Sequence, residues 1–268
     1  MPTVNDRVST RAKAIFNKSL REIQFGTSRM FIWVFLVQWA LAIVLAVTFS
    51  PYAWQGGVRT IHLHVVLAVT GGAVVNALPI ALIILRPNWS GTRHVVAVAQ
   101  MLWSAILVNL TGGRIETHFH IFVSLAFLAF YRDVRVLLTA TLVVAADHLL
   151  LGLFWPESVY GIANPEWWRF AEHGGWVIFE DFVLFAGCRR ALREMWTQST
   201  GAANLEDRSK RLLREYGKQS LTLARIGRHS PQLLSVDTDE EGAVILEEAD
   251  FDGSATGLLA EIKLALSR

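Results

Sequence analysis

The chain has 268 residues, 53% of them hydrophobic and 18% charged, whereas an average soluble protein carries roughly 25% charged residues. Its mean hydropathy is +0.37, and its net charge of +2 is the small difference between 25 basic and 23 acidic side chains. This composition excludes a disordered chain, and the single cysteine, Cys188, excludes a disulfide scaffold and a cysteine-based zinc module.

In chain order, residues 1–28 form a charged cytoplasmic leader holding Arg7, Arg11, Lys13, Lys18 and Arg21. The apolar run after it is 21 residues long and lacks an A-x-A-like end, so a cleavable signal peptide is not expected. Six apolar segments follow at Arg29–Phe49, Ile61–Leu85, His94–Leu110, Ile115–Phe130, Val134–Phe154 and Phe170–Cys188. A bilayer core takes ~20 apolar residues, with a range of ~17–25, as a helix. The third and fourth segments are short and are joined by Thr111-Gly112-Gly113-Arg114, a tight reversal between antiparallel helices. The expectation is an all-α fold, with residues 29–188 forming a six-helix transmembrane bundle.

Positive charge sets the orientation. The leader's five basic residues, Arg29, Arg86, Arg93, Arg132, Arg135, Arg189, Arg190 and Arg193 fall on one side, against Arg59, Arg114 and Arg169 on the other. Both termini are therefore expected in the cytoplasm. Tyr52, Trp54, Trp155, Tyr160, Trp167 and Trp168 mark the outer interface. Residues 189–230 read as a cytoplasmic connector helix. Its apolar positions Leu205, Leu212, Tyr216, Leu223 and Ile226, spaced 7, 4, 7 and 3, permit pairing in a homodimer. Pro231 ends that helix, and residues 231–268 form a tail with eight acids over 237–252 and a short amphipathic helix at Leu258–Leu266. No phosphate loop, kinase signature or nucleic-acid motif is present in the tail, and no nucleic-acid partner is expected.

This topology places six of the eight histidines in the outer half of the bundle. His62 and His64 open the second helix, and His118 and His120 begin the fourth. His148 lies about two turns below the outer end of the fifth, and His173 about one turn into the sixth. Only His94 and His229 lie on the cytoplasmic side. Glu116, Asp147, Glu172, Glu180 and Asp181 accompany them. Ionisable groups inside a membrane cost at least ~2.5–3.5 kcal/mol each at mid-helix and mark function by default.

Helical geometry sorts these groups. Glu116 and His120 share a face, His118 points away from His120, and Asp147 and His148 point apart. His173 and Glu180, seven apart, share a polar line. The expected inward set is Glu116, His120, His148 and His173, completed by His64 or His62. Imidazole and carboxylate without thiolate suit zinc, copper or iron, and two facing histidines suit haem. The carboxylates serve as ligands or as acceptors that orient the imidazoles. Bland readings remain open: interfacial packing for His62, hydrogen bonding between helices for Asp147 and Asp181, and a proton relay for Glu180.

From Gly112 to Arg189 the sequence carries ETHFH at Glu116–His120, YRD at Tyr131–Asp133, DH at Asp147–His148, EH at Glu172–His173 and FED at Phe179–Asp181. This order resembles the multi-pass membrane sensor module that precedes the output domains of bacterial histidine kinases, diguanylate cyclases and chemoreceptors. The resemblance implies a sensor in the bacterial inner membrane rather than an enzyme. It implies a kinase, cyclase or chemotaxis partner, and motif positions at Glu116, His118, His120, Asp147, His148, Glu172, His173, Glu180 and Asp181. No kinase H-box, GGDEF motif or methyl-accepting hairpin is visible in residues 189–268. The functional expectation is a metal- or haem-binding sensor that relays occupancy through its last membrane helix. A membrane metalloenzyme using Glu116 or Asp181 as base, and a proton- or ion-coupled transporter using His173 and Glu180, are the rivals.

Overall fold

A computed structural model describes residues 4–229 and two short strands, Asp237–Thr238 and Val244–Ile245. The proposed amphipathic helix at Leu258–Leu266 lies outside the described residues. The chain divides into two compact units, Met1–Ala203 and Asn204–Arg268.

The first unit is almost entirely helical. Helix α1, Val4–Phe49, runs 46 residues without a break, so the leader and the first apolar segment are one rod roughly 70 Å long. No proline interrupts it, and Gly26 alone does not stop a helix whose neighbours are good formers. A hairpin follows, with β1 at Tyr52–Gln55 and β2 at Val58–Ile61. Gly56, at φ +63°, and Gly57 make the two-residue turn that such hairpins favour. The Arg59 guanidinium lies 3.3 Å from the centre of the Tyr52 ring. This small sheet was not expected from the sequence.

The second apolar segment is a continuous helical stretch from Leu63 to Leu85. It comprises α2, Leu63–Val66, a π-type turn at Leu67–Gly71, and α3, Gly72–Leu85. The His62 ring nitrogen Nδ1 caps it by accepting the His64 backbone N–H at 3.0 Å. At Gly72 a Cβ would come within 2.5 Å of Trp39 and 2.7 Å of Trp103, so a small residue is required where the helices meet.

Helix α4, Ser90–Leu110, is the centre of the bundle and packs against α1, α3, α5 and α6. Trp103, Met101, Val96 and Leu107 are buried there with Phe31 and Phe35 of α1 and Leu125 and Leu128 of α5. Helix α5, Ile115–Leu128, ends in a 3₁₀ turn at Ala129–Tyr131. Arg132 then adopts a left-handed conformation, φ +53°, before α6, Val134–Phe154. A short α7, Pro156–Tyr160, leads to α8, Trp168–His229, which joins the sixth apolar segment to the connector in one 62-residue helix.

By length and composition, four helical stretches are long and apolar enough to cross a membrane: α1, Leu63–Leu85, α4 and α6. Ile115–Tyr131 is apolar but shorter, and the Phe170–Cys188 stretch carries Glu172, Glu180 and Asp181. In the second unit the end of α8 carries i,i+4 ion pairs, Lys210 with Glu206 at 2.7 Å and Arg211 with Asp207 at 2.8 Å. Its two strands pair antiparallel.

Candidate functional site

Three helices each contribute one imidazole to a single cluster. His118 lies in the first turns of α5, His148 in the last turns of α6 and His173 in the first turns of α8. Their ring centres are 5.6 Å apart for His118 and His148, 5.4 Å for His118 and His173, and 6.3 Å for His148 and His173. His118 and His148 are buried.

The three rings are anchored alike. Nδ1 of His118 lies 2.9 Å from the Arg114 carbonyl, Nδ1 of His148 lies 3.1 Å from the Val144 carbonyl, and Nδ1 of His173 lies 2.9 Å from the Arg169 carbonyl. A carbonyl only accepts, so each Nδ1 carries the proton. In a neutral ring that leaves the Nε2 lone pair without a proton. Nε2 of His118 is buried and has no hydrogen-bond partner. The Asp147 carboxylate Oδ2 stands 3.3 Å from His148 Nδ1. The adjacent pair therefore meets at the ring nitrogen instead of pointing apart, a reach that a bent side chain allows even between neighbours.

The rings border a cavity of about 420 Å³ between α5, α6 and α8. Tyr160 of α7 stands over the cluster, its ring centre 5.7 Å from that of His173. Burial holds its phenol above the usual tyrosine range, outweighing the pull of nearby Arg169 in the opposite direction. In sequence Tyr160 reads only as part of the interface belt, and its position follows from Gly161. At φ +69° this glycine ends α7, and it packs against the Gly112-Gly113 turn. No sequence period signals that approach.

The other expected site residues lie elsewhere. His120 faces the opposite side of α5, where Gln38 Nε2 is 2.9 Å from its Nε2, and Ser104 Oγ and Ser124 Oγ are 2.9 and 3.3 Å from its Nδ1. Both its nitrogens are engaged inside the bundle, which separates it from His148 and His173. Glu116 and Glu172 are exposed. His62 and His64 pair with each other at the start of α2, ring centres 4.4 Å apart. Asp181 is buried on α8, its Oδ2 2.5 Å from Thr141 Oγ1, and Glu180 keeps a buried Oε2 without a partner. Among the described residues, no three His, Cys, Asp or Glu side chains are placed as a formed metal site would have them.

Gln38, Gln100, Ser104 and Ser124 build the His120 network and Thr141 holds Asp181, and none of them is among the residues expected from the sequence. Polar side chains inside apolar spans are the signal that identifies such residues.

No protein-family profile matches the sequence, and no solved structure matches it. Over 100 residues, 36% of its length, the chain is 33% identical to "Transducer protein Htr8" of Halobacterium salinarum, and the match covers 15% of that protein. The chain is thus similar, over about a third of its length, to a small part of a transducer.

Proposed function

We propose that this chain is a signal-sensing membrane module in which His118, His148 and His173 together would hold a transition metal ion, or two of them haem iron. The observation that carries the reading is the common anchoring of three imidazoles by Nδ1 to backbone carbonyls, on three helices that share one cavity. Three imidazoles that meet one ion through Nε2 at ~2.0–2.1 Å stand with ring centres roughly 4.5–5.5 Å apart. The separations of 5.4, 5.6 and 6.3 Å lie at and beyond the upper end of that range, with His173 and His148 too far apart until the helices close. The unpartnered buried Nε2 of His118 is the kind of orphan atom such an ion satisfies. Asp147 fits the role of an acceptor that fixes the His148 ring.

A bound ion supplies a positive charge shared by the three rings. The protein's part is to let His173 close on His118 and His148, drawing the start of α8 towards α5 and α6. This counts as signalling because the liganded and open arrangements differ in affinity for the ion. Helix α8 continues into the connector, which we assign to homodimer pairing and to a kinase, cyclase or chemotaxis partner in the cytoplasm. The six apolar segments cross the cytoplasmic membrane with both termini inside, a reading supported by the distribution of Lys and Arg. On this reading the chain senses and does not catalyse.

The test is elemental analysis and an absorption spectrum of the purified protein. One ion per chain, lost in each of His118→Ala, His148→Ala and His173→Ala, or a Soret band, lost in two of these three, is expected, and either is kept in His120→Gln. Protein that carries neither, and takes up none of zinc, copper or iron on titration, overturns the reading.

A further inference from the structure

In the Tyr131-Arg132-Asp133 turn between α5 and α6, two residues have a structural task and one does not. Tyr131 Oη and Ser28 Oγ of α1 are hydrogen-bonded at 3.0 Å, and Asp133 accepts from Arg93 and from the Arg135 N–H. Arg132 stands between them at φ +53°, a left-handed conformation that is costly for a non-glycine residue and clusters at functional sites. Arg132 is half-buried and, among the described residues, meets no carboxylate. Its Nη1 lies 3.6 Å from Met195 Sδ, a weak acceptor for a group with five N–H donors.

Arg132 lines a second cavity, of about 690 Å³. One wall is a single face of α1, Ile23, Gly26, Thr27 and Met30, and the other is the Val183–Ala191 part of α8. A Cβ at Gly26 or Gly187 would meet nothing within 4 Å, so these glycines leave the space open and are not required by close packing. Below it α1 and α8 meet, with the Phe16 and Trp196 ring centres 5.7 Å apart. Val183 is 54% exposed, so the cavity opens onto the outside of the helices, where lipid lies in a spanning bundle. Its depth is that of the inner membrane surface, where α1 becomes apolar at Arg29 and the last apolar segment ends at Cys188. The exposed Arg29, Arg135, Arg189 and Arg193 lie within three residues of the lining along the chain. The neighbouring acids are already committed, Asp133 to Arg93 at 3.1 Å and Glu194 to Arg190 at 2.8 Å.

We propose that this cavity binds one anionic phospholipid of the inner leaflet. Its phosphate takes the N–H donors of Arg132 that Met195 does not use, and one acyl chain runs between α1 and α8 past Gly26 and Gly187. A zwitterionic phospholipid carries its own cation into a region where arginines outnumber unpaired acids, so it is held more weakly. The proposal rests on the membrane placement given above but not on the metal, because no histidine of the cluster lines this cavity.

The experiment is native mass spectrometry of the full chain, purified in detergent and stripped of lipid, with added phosphatidylglycerol or phosphatidylcholine. One phosphatidylglycerol retained per chain is expected, roughly tenfold or more tighter than phosphatidylcholine, the scale of a hydrogen bond to a charged group. Arg132→Gly abolishes that preference while relieving the left-handed strain, so the fold is not endangered. Gly187→Leu fills the cavity and removes retention of both lipids. Soluble glycerol phosphate, which has the phosphate without the chains, does not displace the lipid at equal concentration. His118→Ala retains the lipid. Equal retention of the two lipids, a preference unchanged in Arg132→Gly, or displacement by glycerol phosphate overturns the proposal. A lipid-free dimer that dissociates in Gly187→Leu also overturns it, since a second copy of the chain then fills the cavity. Protein that stays in solution without detergent removes the membrane reading itself, whereas protein that needs detergent and retains no lipid removes this proposal alone.

Discussion

Arg93 opens α4 with a positive charge at a helix N-terminus, where the macrodipole disfavours it. Its guanidinium is tolerated because it serves two partners. Nη1 donates to Gln24 Oε1 of α1 at 2.6 Å, and Nη2 donates to Asp133 Oδ2 at 3.1 Å. Asp133 also caps α6 by accepting the Arg135 N–H at 3.1 Å. With the two side chains only 16% and 20% exposed, Arg93→Ala leaves a partly buried carboxylate without its counter-charge. The expected loss is about 1–3 kcal/mol, read as a lower Tm in detergent. Arg93→Lys recovers only part of it, because a point charge cannot bridge both acceptors.

The same scale explains which parts of the site were legible. The residue types were readable, since ionisable groups in apolar segments stand out. The choice between His118 and His120 was not. Two residues apart on a helix they face nearly opposite sides, and either side was apolar enough in sequence to be the interior. Gln38 and Ser104, from α1 and α4, engage His120, so His118 is the ring that faces α6 and α8.

At the scale of elements, the six apolar segments and the turns between them were readable because Pro, Gly and Arg punctuate them. The β-hairpin was hidden within an aromatic loop. The break after residue 28 was a change of composition only, and the helix of α1 runs through it. The approach of the Gly112-Gly113 turn to α7 was also invisible, as it depends on distant segments. It has a testable consequence. Gly113 adopts φ +73°, and a Cβ there would lie 2.3 Å from the Gly161 nitrogen, a clash with backbone that no side-chain rotation relieves. Gly113→Ala therefore displaces α7 and, with it, Tyr160 above His173. Increased hydrogen exchange over residues 156–161 and faster modification of the cluster histidines by an imidazole-specific reagent are the expected results. Unchanged protection would mean that α7 does not depend on this turn. Gly112, at φ +69° with open space around its Cβ position, carries backbone strain alone, so Gly112→Ala has the weaker effect.

For the whole molecule, the decisive quantity is the side on which each loop lies. Charge gives a consistent answer from independent segments. The leader, the Arg86–Arg93 turn, the Arg132–Arg135 turn and Arg189–Arg193 are basic, whereas the hairpin and the turn at residues 111–114 carry one arginine each. Positive residues flanking spans are retained in the cytoplasm, and an odd number of crossings would place one of these basic groups on the wrong side. On the proposed topology Ile115–Tyr131 and the Phe170–Cys188 stretch cross as well, although the first is short and the second carries acids. Of those acids, Asp181 is buried against Thr141 and not turned outward. Single cysteines placed in a Cys188→Ser background test this directly in intact cells. Gly57→Cys, in the exposed hairpin turn, is expected to react with a membrane-impermeant maleimide. Lys13→Cys and Lys210→Cys are expected to react only after the membrane is opened. Labelling of Lys210→Cys without Lys13→Cys would mean an odd number of crossings, and it would place the connector on the side where no cytoplasmic partner can read α8.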